Sequence, residues 1–505
     1  MKTINIQNLK NTLLIVCFCF LCSNFTFSQT VQGEVYYDSP EFKVLRVWGT
    51  HQERGFAYGY LAGAQISQMI NNYLKPSFGV YYNTARNMVS NPANFQFDPK
   101  HLVEINAILA GMNASGNNAS NLDTVDLLVG NCMLDIQGVL MLQSGLGCSS
   151  LMSWGDATSS TPLAGHAVVT RHLDWTSNTT LLNNHLLLIH QPSEADEQNW
   201  IMAGFAGMVG ALSGFNNQLA LFQHVMSDYN GSGSTGKAYK PIWMAMRQAL
   251  EEIDYNADGY NDAADALASF NDSPNGFAAG FLISALADNA LHDSLSAMVS
   301  ELTPTLPTHT YRTSLFPDSL PGDNLYSANY QIGRNNMLHF CSRYNAVKTH
   351  LGDGTAMGIE ESWALMRDWS HQSNNIQVMQ YAPSLNHFRF GVKKTIPAYQ
   401  SDYVDFDLNE MLNEVTRVVP LTYQGAYTVF PNPGKEQIFL RLPEKMLETP
   451  LVEIYGQQQK IMSNQSHVPD SGHLMSMDVS NFPSGVYIIK VTTSREINCI
   501  KFIKY

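Results

Sequence analysis

Two short apolar runs around a polar turn constrain this chain more than any other stretch. Leu146 to Trp175 reads LGCSSLMSWGDATSSTPLAGHAVVTRHLDW. LMSW and AVVT are β-branched or aromatic and bounded by Gly, Pro, Ser and Thr, the pattern of a strand hairpin. A hairpin here returns Arg171 and Asp174 to the side of Cys148. A thiol, a permanent cation and a carboxylate then share one small volume.

A solitary cysteine is usually a small buried hydrophobe. The neighbours of Cys148 favour chemistry instead. Gly147 directly before it frees the preceding peptide from Cβ restrictions. A thiol can attack that carbonyl, move the acyl group to sulfur and let water cleave it, leaving Cys148 as a new N-terminus. Its α-amine would have a reference pKa of about 7.7–8.0, well suited to a general base at neutral pH. Nucleophile and base then belong to one residue, and no histidine partner is needed. A guanidinium at Arg171 lowers the thiol pKa. Asp174 can hold Arg171 or the α-ammonium by charge-assisted hydrogen bonds. The plain alternative for Arg171 and Asp174 is a surface ion pair worth about 0–1 kcal/mol.

Composition places this chemistry outside the cell. With 505 residues and 45% hydrophobic content, two or three domains with sizeable cores are expected. Charged residues are 14% of the chain, below the roughly 25% of an average soluble protein, which suits an extracellular surface. The net charge of −14 and the lack of a Lys/Arg cluster argue against nucleic acid as a partner. Lys2 and Lys10, the apolar run Leu13 to Leu21 and the small polar exit to Gln29 read as a secretory signal peptide over 1–29. That run is short for a membrane span, and no other approaches about 18 apolar residues, so no stable transmembrane anchor is expected. Cys17, Cys19 and Cys22 leave with the signal. The remaining Cys132, Cys148, Cys341 and Cys499 are too sparse for a disulfide scaffold, and without a CxxC a thiolate zinc site is not expected.

Along the chain, Val44 to Trp48 reads as a strand leading into a helix. The small residues Gly55, Ala57, Gly59, Ala62 and Gly63 permit that helix to pack closely. Residues 99–114 and 124–136 are helical. Residues 186–191 and 200–226 give strands, the latter two or three with tight turns. GSGSTGK at 231–237 reads as a flexible loop over a cleft, and PIWMAMRQALEEI as an amphipathic helix. Residues 274–300 read as mixed helix and strand, and the Pro-rich run after Glu301 as loop. QIG is read as a strand that passes through Arg334-Asn335-Asn336 to a helix near Ser342. A helix over 359–369 and two strands near 376–392 close the large domain.

The amphipathic helix runs into Asp254, Asn256, Asp258, Gly259, Tyr260, Asp262 and Asp265. Oxygen ligands at loop positions 1, 3, 5, 7, 9 and 12, with Gly at 6, match the calcium-loop template. Asp265 replaces the usual bidentate Glu, and Asn261 the customary apolar residue at position 8. The alternatives are a structural calcium site and an Asp/Asn-rich turn between helices. No cofactor is expected for catalysis.

Two resemblances add to these readings. Residues 44 to about 395 resemble the acyl-coenzyme A:6-aminopenicillanic acid acyltransferase family, peptidase family C45. That family is related to choloylglycine hydrolases and acid ceramidases among N-terminal nucleophile hydrolases. The resemblance rests on Gly147-Cys148-Ser149-Ser150, Trp154 to Thr158, Arg171-His172-Leu173-Asp174-Trp175, WGTHQERGFAYGYLAG and GALSGFNNQLA. It implies an α+β fold, the four-layer αββα sandwich, with segment 30–147 preceding a catalytic core 148–420 that begins at the nucleophile. It implies Cys148 as nucleophile supported by Arg171 and Asp174, Asn335 as oxyanion donor with Asn336 as fallback, and Arg343 as a second active-site arginine. His172 stands where relatives have Asn, and His224 near an Asn that contributes to the oxyanion hole, which makes both pocket candidates. The expected activity is hydrolysis of a small-molecule linear N-acyl amide. Its variants are acyl transfer to an amine and a lipid amidase or phospholipase-B-like ester hydrolase. A catalytically silent binding scaffold is the non-enzymatic alternative.

Residues 421–505 change to short alternating strands separated by Pro, Gly and Asn, a small all-β immunoglobulin-like sandwich. Phe430-Pro431-Asn432-Pro433, Val452-Glu453-Ile454-Tyr455 and Phe482-Pro483-Ser484-Gly485-Val486-Tyr487 resemble the sorting domain of type IX secretion. That implies secretion machinery as a partner and a secreted or cell-surface location.

Overall fold

A computed structural model describes residues 31–142, 147–227, 231–288, 295–316, 320–335 and 341–413, and in the C-terminal region 428–432, 434–441, 450–456, 460–464, 474–492 and 497–505. The expected signal peptide and Asn336 lie outside the described residues. The chain divides into two units between Asn413 and Glu414.

The first unit is mixed α and β. In chain order its strands are β1 (Gly33–Asp38), β2 (Lys43–Gly49), β3 (Gly147–Ser153), β4 (Val168–Asp174), β5 (His185–Pro192), β6 (Trp200–Phe205), β7 (Ser213–Phe215), β8 (Leu219–Val225), β9 (Phe281–Ala287), β10 (Ala297–Leu302), β11 (His309–Arg312), β12 (Asn324–Ser327), β13 (Asn375–Ala382), β14 (His387–Val392) and β15 (Tyr403–Asp407). One sheet runs β1-β2-β5-β6-β7-β8-β9-β10-β11, the other β12-β3-β4-β13-β14-β15. All pairings are antiparallel except β2 with β5. The main helices are α1 (His51–Met69), α2 (Tyr82–Val89), α3 (Pro99–Ala114), α4 (Thr124–Asn131), α5 (Met133–Val139), α6 (Ile242–Glu251), α7 (Ala263–Asn271), α8 (Ser342–His350) and α9 (Ile359–Trp369).

The apolar runs sort themselves by face. Within β5, Leu187 and Ile189 join Ile201, Phe222, Met152, Val169, Met379 and Phe390 in a core shared by the two sheets. Leu186 and Leu188 point the other way, into a core with α1, α3, α4 and α6. Burial on both faces explains why β5 reads LLLI rather than alternating. On the far face of the smaller sheet, Leu151 and Tyr326 pack against Tyr344 and Val347 of α8 and Leu365 and Met366 of α9. Helices therefore cover the outer face of each sheet.

Helix α1 starts at a Thr50/Glu53 capping box and packs on α3 through glycines. A Cβ at Gly59 would lie 1.9 Å from the Ile108 carbonyl oxygen, and one at Gly55 2.3 Å from that of Glu104. Residues 124–136 form two helices rather than one, because the backbone at Cys132 leaves helical geometry. The 274–300 region gives β9 and β10, with no helix among its described residues. Part of the Pro-rich run after Glu301 is also strand: β11 lies within it, and β12 begins at its last residue, Asn324. Gln331-Ile332-Gly333 belongs to no strand; Ile332–Asn335 is one helical turn, and the preceding strand is β12. The 231–237 loop is tied down: Gly233 N–H donates to Ala278 O at 3.0 Å, Ser234 N–H to the Tyr239 hydroxyl at 3.2 Å and Gly236 N–H to Asn94 Oδ1 at 2.9 Å.

A buried charge network joins α1, α3 and α6. Glu104 accepts from Arg247 Nη2 and lies 2.7 Å from His51 Nδ1; Glu197 lies 2.8 Å from His51 Nε2 and accepts from Arg54 at 2.9 Å; Glu251 accepts from Arg247 Nε at 2.6 Å. Burial opposes charge on His51, but its bonds to Glu104 and Glu197 prevail and raise its pKa to about 9. A folded-state pKa above the unfolded value of 6.5 adds stability that is complete below about pH 6.5 and lost as pH rises through 9. Urea melts are expected to lose at most about 3 kcal/mol across that window, and His51→Gln to flatten this slope.

The second unit holds β16 (Thr428–Phe430), β17 (Gln437–Arg441), β18 (Leu451–Tyr455), β19 (Lys460–Asn464), β20 (Leu474–Asp478), β21 (Gly485–Thr492) and β22 (Ile497–Lys504). They form the sheets β16-β17-β20 and β19-β18-β21-β22 around one apolar core. Asn432 ties its loop to the last strand, donating to Lys501 O and accepting from Ile503 N–H. Tyr487 donates to Pro483 O and packs its ring on Phe482.

Candidate functional site

The hairpin forms with Gly147 opposite Asp174, Cys148 opposite Leu173 and Ser150 opposite Arg171. Directly paired residues share a face, and side chains alternate along a strand. Cys148, Ser150 and Arg171 therefore point the same way, toward β8 of the larger sheet. Arg171 Nη2 lies 3.8 Å from Cys148 Sγ and donates to Gln223 O at 3.0 Å. Asp174 sits at the hairpin's open end beside Gly147.

Asp174 is held from two sides. Arg343, from the first turn of α8, donates to Oδ2 at 3.1 Å, and Asn375, at the start of β13, to Oδ1 at 3.0 Å. Arg343 Nη2 also donates to Asn329 Oδ1 at 2.6 Å. The same oxygen accepts the Cys148 backbone N–H at 3.1 Å, and Asn329 Nδ2 donates to Val225 O at 2.6 Å. One asparagine oxygen thus holds the nitrogen of the residue that carries the sulfur.

Cys148, Arg171 and Asp174 are all buried. Burial raises the Cys148 thiol pKa above its ordinary value, and the opposing pull of Arg171 does not overcome it. The expectation of a lowered thiol pKa is met in cause but not in net direction, because the sulfur has left water. Burial likewise pushes the Asp174 carboxyl up, against Arg343 and Asn375.

Of the residues singled out in the sequence, Cys148, Arg171, Asp174 and Arg343 come together. His224 joins them from β8, with Nε2 3.1 Å from Ser150 Oγ and 3.2 Å from Ser284 Oγ. Burial holds its pKa well below the usual imidazole range, so it is neutral. His172 occupies the opposite face of β4, stacked on Tyr399, with its pKa lowered to about 3 by burial. Asn335 ends the helical turn that starts at Ile332; the backbone N–H groups of Gly333 and Arg334 there donate to Glu301 of β10. Asn329 and Asn375 escaped the sequence reading. Asn375 opens the largely apolar strand β13 and Asn329 follows the short strand β12, each a weak signal on its own.

An apolar pocket lies beside this group. Tyr73, Leu127, Met133, Trp175, Met208 and Trp243 are among its walls, and among the described residues no charged side chain lines it. Trp175 directly follows Asp174 and donates to the Tyr73 hydroxyl at 2.6 Å. Trp243 donates to Gln223 Oε1 at 3.4 Å, and the carbonyl of Gln223 receives Arg171. The pocket wall and the sulfur are thus linked through two residues.

Comparison with known proteins bears on both units. Residues 428–505 match the secretion system C-terminal sorting domain. The chain therefore carries the signal for type IX secretion and is secreted or held at the cell surface. No helix among the described residues is long and apolar enough to cross a membrane. Over 258 residues the chain is 24% identical to Protein dcd1B of Dictyostelium discoideum, a stretch covering 44% of this chain and 46% of that protein. The chain thus spans less than half the length of this relative.

Proposed function

We propose that this exported protein is a cysteine N-terminal nucleophile amidohydrolase with an αββα sandwich, similar to peptidase family C45. It cleaves its own Gly147–Cys148 bond and then hydrolyses a linear N-acyl amide. The observation that carries this reading is the single Asn329 oxygen that holds both the Cys148 nitrogen and Arg343, with Arg171 at the sulfur. The two face-to-face sheets with helices outside each support the fold assignment.

In maturation the Cys148 sulfur adds to the Gly147 carbonyl carbon. The C–N bond breaks, and the nitrogen takes the thiol proton to become an amine. Water then cleaves the thioester and leaves a carboxylate on Gly147. In turnover the amine takes the thiol proton, sulfur adds to the substrate carbonyl, and the departing amine receives that proton. Water hydrolyses the resulting thioester to the free acid. Asn329 Oδ1 accepts from the nitrogen both before and after maturation, so the general base is oriented in advance. Arg171 favours the negative charge on sulfur. The apolar pocket suits the acyl portion of the substrate. An amine that intercepts the thioester ahead of water would make the reaction acyl transfer, which added amine acceptors reveal directly.

The test is the intact mass of the exported protein. Two chains are expected, one beginning at Cys148, together with acid release from a panel of N-acyl amides. One uncleaved chain without amidase activity would refute the reading. Asn329→Ala is expected to slow self-cleavage and kcat by about 100-fold with a smaller effect on KM, which stopped assays on the purified variant measure.

A further inference from the structure

A second cavity, of about 320 Å³, shares no wall residue with the site around Cys148. Residues 96–98 and His101 at the start of α3 border it, as do Met244 and Gln248 of α6 and residues 272–276 after α7. Three of its polar wall groups carry an atom with no hydrogen-bond partner among the described residues. His101 is fully buried; its Nε2 lies 3.3 Å from Glu251 Oε1, and its Nδ1 is bare. Glu251 is no wall of the cavity, so the ring presents its other, bare edge there. Ser273 is buried with a bare Oγ. Gln248 gives Nε2 to Asp98 Oδ2 at 3.3 Å and leaves a buried Oε1 bare. A buried polar atom without a partner is unfavourable, and three around one space require a polar occupant.

Two neighbouring polar clusters draw their partners largely from within. In the acidic 254–265 turn, Asp254 accepts the N–H groups of Asp258 and Gly259, and Asp265 those of Tyr255 and Asn256. In the buried network, His51, Glu197 and Glu251 bring ligand-type atoms within 4.8 Å of one another, but Lys100, Arg54 and Arg247 balance them. The cavity has no such internal supply.

Its chemistry defines what fits. Burial, opposed by Glu251, lowers the His101 pKa, so the ring is neutral. Arg247 keeps Glu251 a carboxylate despite its burial, so Nε2 carries the ring proton and Nδ1 offers a lone pair. Gln248 Oε1 only accepts, and the Ser273 hydroxyl does either. The occupant therefore brings several O–H or N–H donors. It is also uncharged, because the bare atoms all belong to neutral groups and the charged walls have partners. Lys240 Nζ lies 3.7 Å from Asp272 Oδ2, which also accepts from the Tyr255 hydroxyl at 3.0 Å. Asp98 caps α3 at Lys100 N–H and accepts from Gln248. A charged ligand would be desolvated here without a counter-charge. Half-buried Phe97 and buried Met244 add apolar wall, which suits C–H groups better than water.

We propose that this cavity binds a neutral sugar of hexose size. Its hydroxyls donate to His101 Nδ1 and Gln248 Oε1 and pair with Ser273 Oγ, while its C–H face lies on Phe97. Small polar ligands of this kind fit cavities at the lower end of the usual size range. This binding site does not depend on the reaction proposed above.

The full-length exported protein is titrated with glucose, galactose and mannose by calorimetry and ligand-observed NMR. At least one hexose is expected to bind with a Kd of about 1–10 mM. Glycerol and the charged analogues glucosamine and glucuronate are expected to bind about tenfold more weakly or less. Methyl glycosides that bind equally well identify the end of a glycan as occupant, whereas their exclusion identifies the free sugar. Ser273→Ala removes a hydroxyl that bonds to nothing in the protein, so the variant is expected to keep its fold. It and Gln248→Met are each expected to weaken binding about tenfold. A cavity that holds water only, seen as no binding of any hexose at about 100 mM, tenfold above the expected range, would overturn the proposal. So would undiminished affinity in the folded Ser273→Ala variant, or charged analogues that bind as tightly as the neutral sugar.

Discussion

Replacing Cys148 by alanine is expected to leave the exported protein as one uncleaved chain with no amide hydrolysis. The sulfur is the nucleophile of the proposed self-cleavage, and the α-amine it liberates is the base the proposed turnover uses. The substitution itself is mild, because it removes one buried sulfur atom and leaves the Asn329 bond to the backbone N–H in place. A folded variant that still split at Gly147–Cys148, seen by intact mass, would end the proposal. The raised thiol pKa adds a pH signature. Self-cleavage of unprocessed protein is expected to accelerate as pH rises toward and past the ordinary thiol value, since thiolate is the attacking form. Arg171→Lys is expected to slow it, because a point charge on a shorter stem no longer reaches both the sulfur and Gln223 O.

The largest loss of stability is expected from Glu104→Ala. Glu104 is buried, and although burial opposes its charge, Arg247 and His51 hold its pKa well below the ordinary carboxylate value. Removing it leaves Arg247 and the protonated His51 facing each other with one carboxylate fewer. Breaking a buried ion pair from one side typically costs about 3–5 kcal/mol. Urea unfolding followed by tryptophan fluorescence measures this, and Glu104→Gln is expected to recover part of it by keeping one acceptor. The proposed chemistry should survive in whatever fraction stays folded, since no residue of the network contacts Cys148 in any bond described above.

Much of this molecule was legible in the chain. The hairpin from Gly147 to Asp174 followed from two β-branched runs and a Gly/Pro/Ser/Thr turn. The glycine-lined packing of α1, the helices near 342 and 359 and the strand pairs followed from spacing alone. The C-terminal sorting domain followed from its Pro-Asn and aromatic motifs, whose side chains turn out to pin its strands together. These are local signals, carried by residues close in sequence. Asn329 was not legible: it lies 181 residues from Cys148, and nothing near it in the chain announces that β12 pairs with β3 in one sheet and so carries its oxygen to that nitrogen. The net direction of the thiol pKa was equally hidden, because the opposing effects of Arg171 and burial have no sequence measure. Residue type and spacing determined the strands, the helices and the list of reactive groups. Only the tertiary structure decided which of those groups meet, because contact across two sheets depends on distances that sequence separation does not encode, and burial sets how far each charge is felt.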